Sequence, residues 1–168
     1  MPRRKGITNR ELNILKKLVE DGRVTYTQIA RELGMSPAGV MKKVRKLEEL
    51  GIIKGYTALV DHAKLGKGYK YIILMRTEPG KHAEVAKKVV EVAPQNILEV
   101  HEITGPYDVI VKLIAGDQHE LNELLKKILS IPGVRETNTS LVLETVREQA
   151  SIVPEEIPPE VLKSLTKA

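Results

Sequence analysis

Four cations fall within five residues of the stretch SPAGVMKKVRKLEELGIIKGY, at Lys42, Lys43, Arg45 and Lys46. Wound on a helix at about 100° per residue, Ala38, Lys42, Arg45 and Glu49 lie opposite the apolar stripe Val40, Val44, Leu47 and Leu50, with Gly39 and Lys46 beside the charged row. One face suits a core and the other suits a polyanion. A second group is the turn Thr104-Gly105-Pro106-Tyr107-Asp108 together with Thr137 and Thr139. Gly105 lets a ligand approach the backbone, and successive amides around a tight turn can receive a carboxylate. Asp108 offers the opposite charge to an ammonium, while Thr137 and Thr139 share one face of a strand and present hydroxyls. These are the two halves of a zwitterion receptor. The same residues suit a plain hairpin closure and ordinary strand threonines, and their chemistry leaves both readings open.

Catalytic patterns are missing. His62, His82, His101 and His119 show neither HxH nor HExxH spacing, and no GxSxG, P-loop or dinucleotide fingerprint occurs. His101 can be a ligand contact or a simple strand residue, and Glu99 and Glu102 have opposite pleat parity, so they make no obvious acid–base pair. The chain has no Cys, which excludes disulfides, thiolate catalysis and cysteine-ligated zinc or iron–sulfur clusters. No catalytic residue, metal ligand or resident cofactor is assigned.

The elements that must position these groups follow from length and pattern. At 168 residues the chain is one ordinary domain or two small ones. With 42% hydrophobic and 29% charged residues it can bury a core. No signal core or membrane-spanning run is present, so a cytoplasmic protein without membrane contact is expected. Residues 1–56 hold 13 Lys and Arg against 6 Asp and Glu, whereas the remainder holds 14 against 16. The basicity therefore belongs to the first third, as in a nucleic-acid-binding head joined to a domain with another task. A Lys- and Glu-rich solvated surface is the bland alternative.

That head reads as three helices. Thr8 with Glu11 is a capping-box pattern, followed by Leu12, Leu15, Leu18 and Val19 at helical spacing; Thr25 with Gln28 repeats the box before Ile29, Ala30 and Leu33. Gly34 supplies a turn, Ser36 an N-cap and Pro37 the first position of a third helix. Helix, glycine turn, helix is helix-turn-helix geometry, whose last helix enters the major groove. Ala38 and Lys42 then lie nearest the bases, Lys42 being able to touch base or backbone, and Lys43, Arg45 and Lys46 lie on or near the backbone, with Ser36, Gly39, the arm Arg3, Arg4 and Lys5 and the wing-like Lys54 as further candidates for contact with double-stranded DNA. Gly39 serves either close approach to DNA or packing.

GIIKGYTALVD (51–61) reads as a strand leaving the head, and the boundaries fall at residues 1–60, 61–146 and 147–168. The middle part alternates as strand 69–77, helix 81–92, strands 97–104 and 108–115, helix 118–130 and strand 134–146. This βαββαβ order is that of a ferredoxin-like α+β sandwich with both helices on one sheet face. Ile72, Leu74, Val109, Val111, Leu113, Leu141 and Leu143 exceed what one small layer hides, so another subunit is expected to cover the open face. A short helix over 160–167 closes the tail.

With IAxxLGMS, SPxxVxxxVxxLExxGIIxGYxALVD, TGPYD and GVRETNTSLVLE, residues 7–146 resemble the Lrp/AsnC family of transcription regulators. The resemblance implies a winged-helix-like head and a C-terminal RAM domain that dimerises through its sheet. Dimers of the family assemble into tetramers or octamers with amino-acid effectors between them, and Tyr107 is implied to line the pocket beside Gly105, Asp108, Thr137 and Thr139. Asn9 stands where the family often has Asp, and residues 147–168 run past its usual end. The sirohaem decarboxylases share the family's fold, making an enzyme one alternative; an architectural DNA-coating protein without an effector is the other.

Overall fold

The computed structural model describes residues 7–158 and 161, in two units. One takes in the described residues up to Leu59 and from Arg147 onward, and the other is Val60–Val146. The arm Arg3, Arg4 and Lys5 lies outside the described residues, as does the helix expected over 160–167 apart from Val161.

In the first unit, α1 (Asn9–Glu20), α2 (Tyr26–Leu33) and α3 (Pro37–Glu49) follow the cap signals. The Thr25 hydroxyl accepts the Gln28 N–H at 3.1 Å, and the Ser36 hydroxyl accepts that of Gly39 at 3.1 Å. Gly34 ends α2 at φ 61°, a left-handed conformation that costs glycine nothing and turns the chain into α3 within three residues. Ile14, Ile29, Ala30, Val40 and Val44 form one buried cluster, and Ile7, Leu12, Leu15 and Leu47 a second. Val19, expected inward, is exposed, and the fully buried Ile14 takes its place on α1.

Residues 147–158 group with the first unit. Val153 and Ile157 pack on the second cluster beside Leu50, Ile52 and Ile53, and Glu155 pairs with Lys16 at 2.9 Å. Three short helices leave this apolar edge uncovered, so the returning chain removes it from water. The strand expected over 51–61 does not form in the single chain. Ile52 and Ile53 instead donate their N–H groups to the Leu47 carbonyl at 2.9 and 3.2 Å, prolonging the end of α3, and among the described residues no neighbouring strand accepts bonds from the residues that follow.

The second unit runs β1 (Tyr69–Thr77), α4 (His82–Val92), β2 (Ile97–Glu102), β3 (Val109–Ala115), α5 (Gln118–Leu129) and β4 (Val134–Leu141), after a short 3-10 turn at Ala63–Leu65. The sheet order is β2-β3-β1-β4, antiparallel throughout. Tyr71, Ile73, Met75, Val109, Val111 and Leu113 share the helix-covered face with Val85, Val89, Leu121, Leu124 and Ile128. This corrects the expected open face. Val111 pairs with Ile73 and is fully buried, so Val109, Val111 and Leu113 point at the helices. Leu141 pairs with Tyr71 and belongs to that same side. The open face carries Ile72, Leu74 and Ile110 in its middle, flanked by Lys112, whose ammonium meets Glu99 at 3.0 Å, and by His101.

A polar knot fastens α5 to this sheet. Glu120 accepts the Gly116 N–H at 2.7 Å and the Asn96 side chain at 2.8 Å and pairs with Lys67. The Lys67 ammonium, the Gly116 N–H and the Asn96 amide lower its carboxyl to about 2. Since the folded value lies below the ordinary carboxylate value, this group's stabilisation is complete above about pH 4.5 and is lost as pH falls toward 2. The stability gap between wild type and Glu120→Gln, read from urea midpoints, is therefore expected to be constant from pH 7 to 5 and to close below pH 4.

Candidate DNA interface and ligand turn

On α3 the buried Val40, Val44 and Leu47 fix which residues face away. Ala38, Met41, Lys42, Arg45 and Glu49 are all exposed and, at i, i+3, i+4, i+7 and i+11, form one outward stripe. Met41 was missed by sequence reading; being apolar and 38% exposed in mid-helix is its structural signal. Ser36 acts as the N-cap, and a β-carbon at Gly39 would meet the Ser36 hydroxyl at 3.1 Å and the Met35 methyl at 3.7 Å, so the cap crowds that position. Lys54 is exposed.

Lys43 and Lys46 point elsewhere. Their ammonium groups reach Glu11 Oε1 at 2.9 and 3.2 Å, while Glu11 Oε2 accepts the Thr8 N–H at 3.0 Å and the Thr8 hydroxyl. Glu11 is 1% exposed. Burial by itself would raise its carboxyl, but the Lys43 ammonium, the Thr8 N–H and the Lys46 ammonium outweigh that and hold it below the usual range. In sequence Glu11 reads as half of a capping box; its bond to a helix more than thirty residues away has no local signature.

The turn between β2 and β3 is built on β1. Gly105 adopts φ 122°, open to glycine and strained for other residues. Asp108 Oδ2 accepts the Thr77 N–H at 2.7 Å and the Thr77 hydroxyl at 3.2 Å, and the Asp108 N–H donates to the Met75 carbonyl at 2.9 Å. The Thr77 amide, against a small cost of burial, holds the Asp108 carboxyl low, with help from the Thr77 hydroxyl and the charges of His82 and Arg76. Arg76, overlooked in the sequence, donates to the Pro106 carbonyl at 2.9 Å and lies 5.4 Å over the Tyr107 ring. Thr137 and Thr139 lie on β4 opposite Met75 and Ile73, two and four residues along β1 from Thr77, with β1 between them and the turn. The structure thus joins Asp108 to Thr77 and leaves the two threonines one strand away. His101 sits 3.2 Å from Glu99 and His82 3.4 Å from Glu102. Among the described residues no three His, Asp or Glu side chains gather as a metal site, and no helix is long and apolar enough to cross a membrane.

A helix-turn-helix head with an exposed basic stripe, followed by a four-stranded βαββαβ unit, defines a two-domain DNA-binding transcription regulator. A model for the Lrp/AsnC ligand binding domain matches residues 70–152, and one for winged helix-turn-helix DNA-binding matches residues 6–54. The HTH-type transcriptional regulator FL11 of Pyrococcus abyssi is 37% identical over 139 residues, covering 83% of this chain and 91% of its own. AsnC of E. coli superposes with TM-score 0.79 at 25% identity, over 88% of this chain and 99% of that one. A Neisseria meningitidis regulator solved with L-Met superposes at 0.78 and 22% identity, over 87% and 96%. The chain belongs to the Lrp/AsnC family.

Proposed function

We propose that the protein acts in the cytoplasm as a homodimer or a higher assembly of dimers on double-stranded DNA, with an amino acid as effector. The observation that carries the DNA half is the outward stripe of α3. Ala38, Met41 and Lys42 near its N-terminus meet base edges, where the Met41 side chain suits a thymine methyl group, and Arg45 meets phosphate. The cap at Ser36 and Gly39 places the helix end, and Arg3, Arg4, Lys5 and Lys54 add backbone contacts. Two heads related by a two-fold axis read half-sites about 34–36 Å apart, or a multiple of that. The role is one of binding, without a chemical step.

For the effector, Asp108 takes the ammonium through the oxygen that Thr77 leaves open, and Arg76 beside Tyr107 takes the carboxylate. Thr137 and Thr139 lie across β1 from the turn, which favours a pocket completed by a second copy, and the L-Met bound to the Neisseria regulator supports the ligand class. The test is a thermal-shift scan of the twenty amino acids with a DNA titration alongside. An amino acid that raises the melting point and alters DNA affinity supports the reading, whereas none doing either would leave a DNA-coating protein without effector. Asp108→Asn keeps an acceptor for Thr77 but removes the charge. It is expected to weaken amino-acid binding by about 1.5–3 kcal/mol, roughly 10- to 150-fold in calorimetry, with DNA affinity of the ligand-free protein unchanged.

A further inference from the structure

The fold divides the four cations of α3 into two pairs of different availability. Lys42 and Arg45 stand on the outward stripe, and among the described residues neither has a carboxylate within ion-pair distance. Lys43 and Lys46 lie on the flank of α3 turned toward α1, their ammonium groups converging on Glu11 Oε1 at 2.9 and 3.2 Å. Glu11 is enclosed, with its second oxygen committed to Thr8. We propose that Glu11 is a positioning residue for DNA recognition, which fixes the roll of α3 against α1 and withholds Lys43 from the phosphates so that duplex DNA is met by the Ala38–Met41–Lys42–Arg45 stripe.

The physical reason is an asymmetry between the two possible partners of Lys43. A phosphate on a hydrated duplex exchanges one solvated contact for another, so a single lysine gains mainly by releasing a counterion. Leaving Glu11 strips an ammonium from a carboxylate that water does not reach, and an under-compensated buried charge is strongly unfavourable. Lys43 therefore stays with Glu11 when DNA arrives. The three-residue spacing of Lys43 and Lys46 puts both on the same side of α3, where together they grip one point of α1 and restrain rotation of the helix about its axis. Fewer cations for sequence-blind attraction leaves a larger share of affinity to the groove-facing stripe, which favours discrimination between sequences.

The inference rests on DNA being bound through α3, and one experiment separates the two. Affinity of the full-length protein for a labelled 40-base-pair duplex of fixed sequence is measured by anisotropy against potassium chloride, for wild type, Arg45→Gln, Lys43→Gln, Glu11→Gln and the Glu11→Gln/Lys43→Gln double variant. Arg45→Gln is expected to reduce the salt slope by about one per engaged head, while Lys43→Gln leaves it at the wild-type value. Glu11→Gln, shown folded by circular dichroism, steepens the slope by about one to two per head as Lys43 and Lys46 are released, and the double variant loses the part of that gain due to Lys43. A role for Glu11 in stability alone would lower the melting point without steepening the slope. Lys43→Gln reducing the slope as Arg45→Gln does, or folded Glu11→Gln keeping the wild-type slope, overturns the proposal. Should Glu11→Gln fail to fold, the comparison of Lys43→Gln with Arg45→Gln decides it. An Arg45→Gln slope equal to wild type overturns the reading of α3 itself, and the proposal with it.

Discussion

Raising the salt from 50 to 200 mM is expected to weaken binding of a dimer to duplex DNA by about 10³- to 10⁵-fold. Lys42, Arg45 and Lys54 are exposed on each head, and the sequence adds the arm Arg3, Arg4 and Lys5. With about 3–5 phosphates neutralised per head, two engaged heads release enough counterions for a slope of roughly −5 to −9 in log affinity against log salt. Arg45→Ala is expected to lower affinity for every sequence alike, because the phosphate contact proposed for it carries no base information. Lys42→Ala is expected also to relax sequence preference, since its side chain is proposed to reach the groove. Titration of a promoter fragment at four salt concentrations measures the slope, and an affinity indifferent to salt would contradict the interface.

Val111→Asp and Ile72→Asp, both apolar-to-acid changes in neighbouring strands, are expected to act in opposite ways. Val111 is fully buried between sheet and helices, so a carboxylate there has neither water nor a partner, and the loss is about 4 kcal/mol or more. The Val60–Val146 unit then unfolds, visible as lost ellipticity and a collapsed melting transition. Ile72 faces the open side of the sheet opposite Lys112, so its replacement meets an opposite charge and solvent. The fold survives, while the apolar centre made with Leu74 and Ile110 is broken. Light scattering should then find an 18.7 kDa species where the wild type is expected to associate. A folded, associating Val111→Asp would refute this assignment of faces.

That pair also shows how far the sequence could be read. Strand positions and their order were legible because alternation, the hairpin turn and the helix caps are local signals, each set by a few neighbours. Alternation says that successive residues face opposite ways but not which face the helices cover. Pairing Val111 with Ile73 decides that, and register is a long-range property. The same limit applied at the sites. The basic row on α3 was visible from helical spacing, yet the capture of Lys43 by Glu11 depends on how α1 crosses α3. Asp108 was visible as a turn acid, but its hold on Thr77 and the stacking of Arg76 on Tyr107 come from strands brought together by topology. The strand expected over 51–61 carries β-forming residues, and propensity does not supply the neighbour a strand needs.

The return of residues 147–158 to the head gives the protein a fixed order of completion during synthesis. Lys16 and Glu155 are separated by 139 positions, so the edge formed by Ile7, Leu12, Leu15 and Leu47 is closed by residues translated only after all of Val60–Val146. At about 5–20 residues per second, the three helices wait on the order of ten seconds with that edge bare while the sheet unit is made and folds. The part that reads DNA leaves the ribosome first and is finished last, which keeps a nascent head short of its full stability until the ligand-binding unit behind it exists.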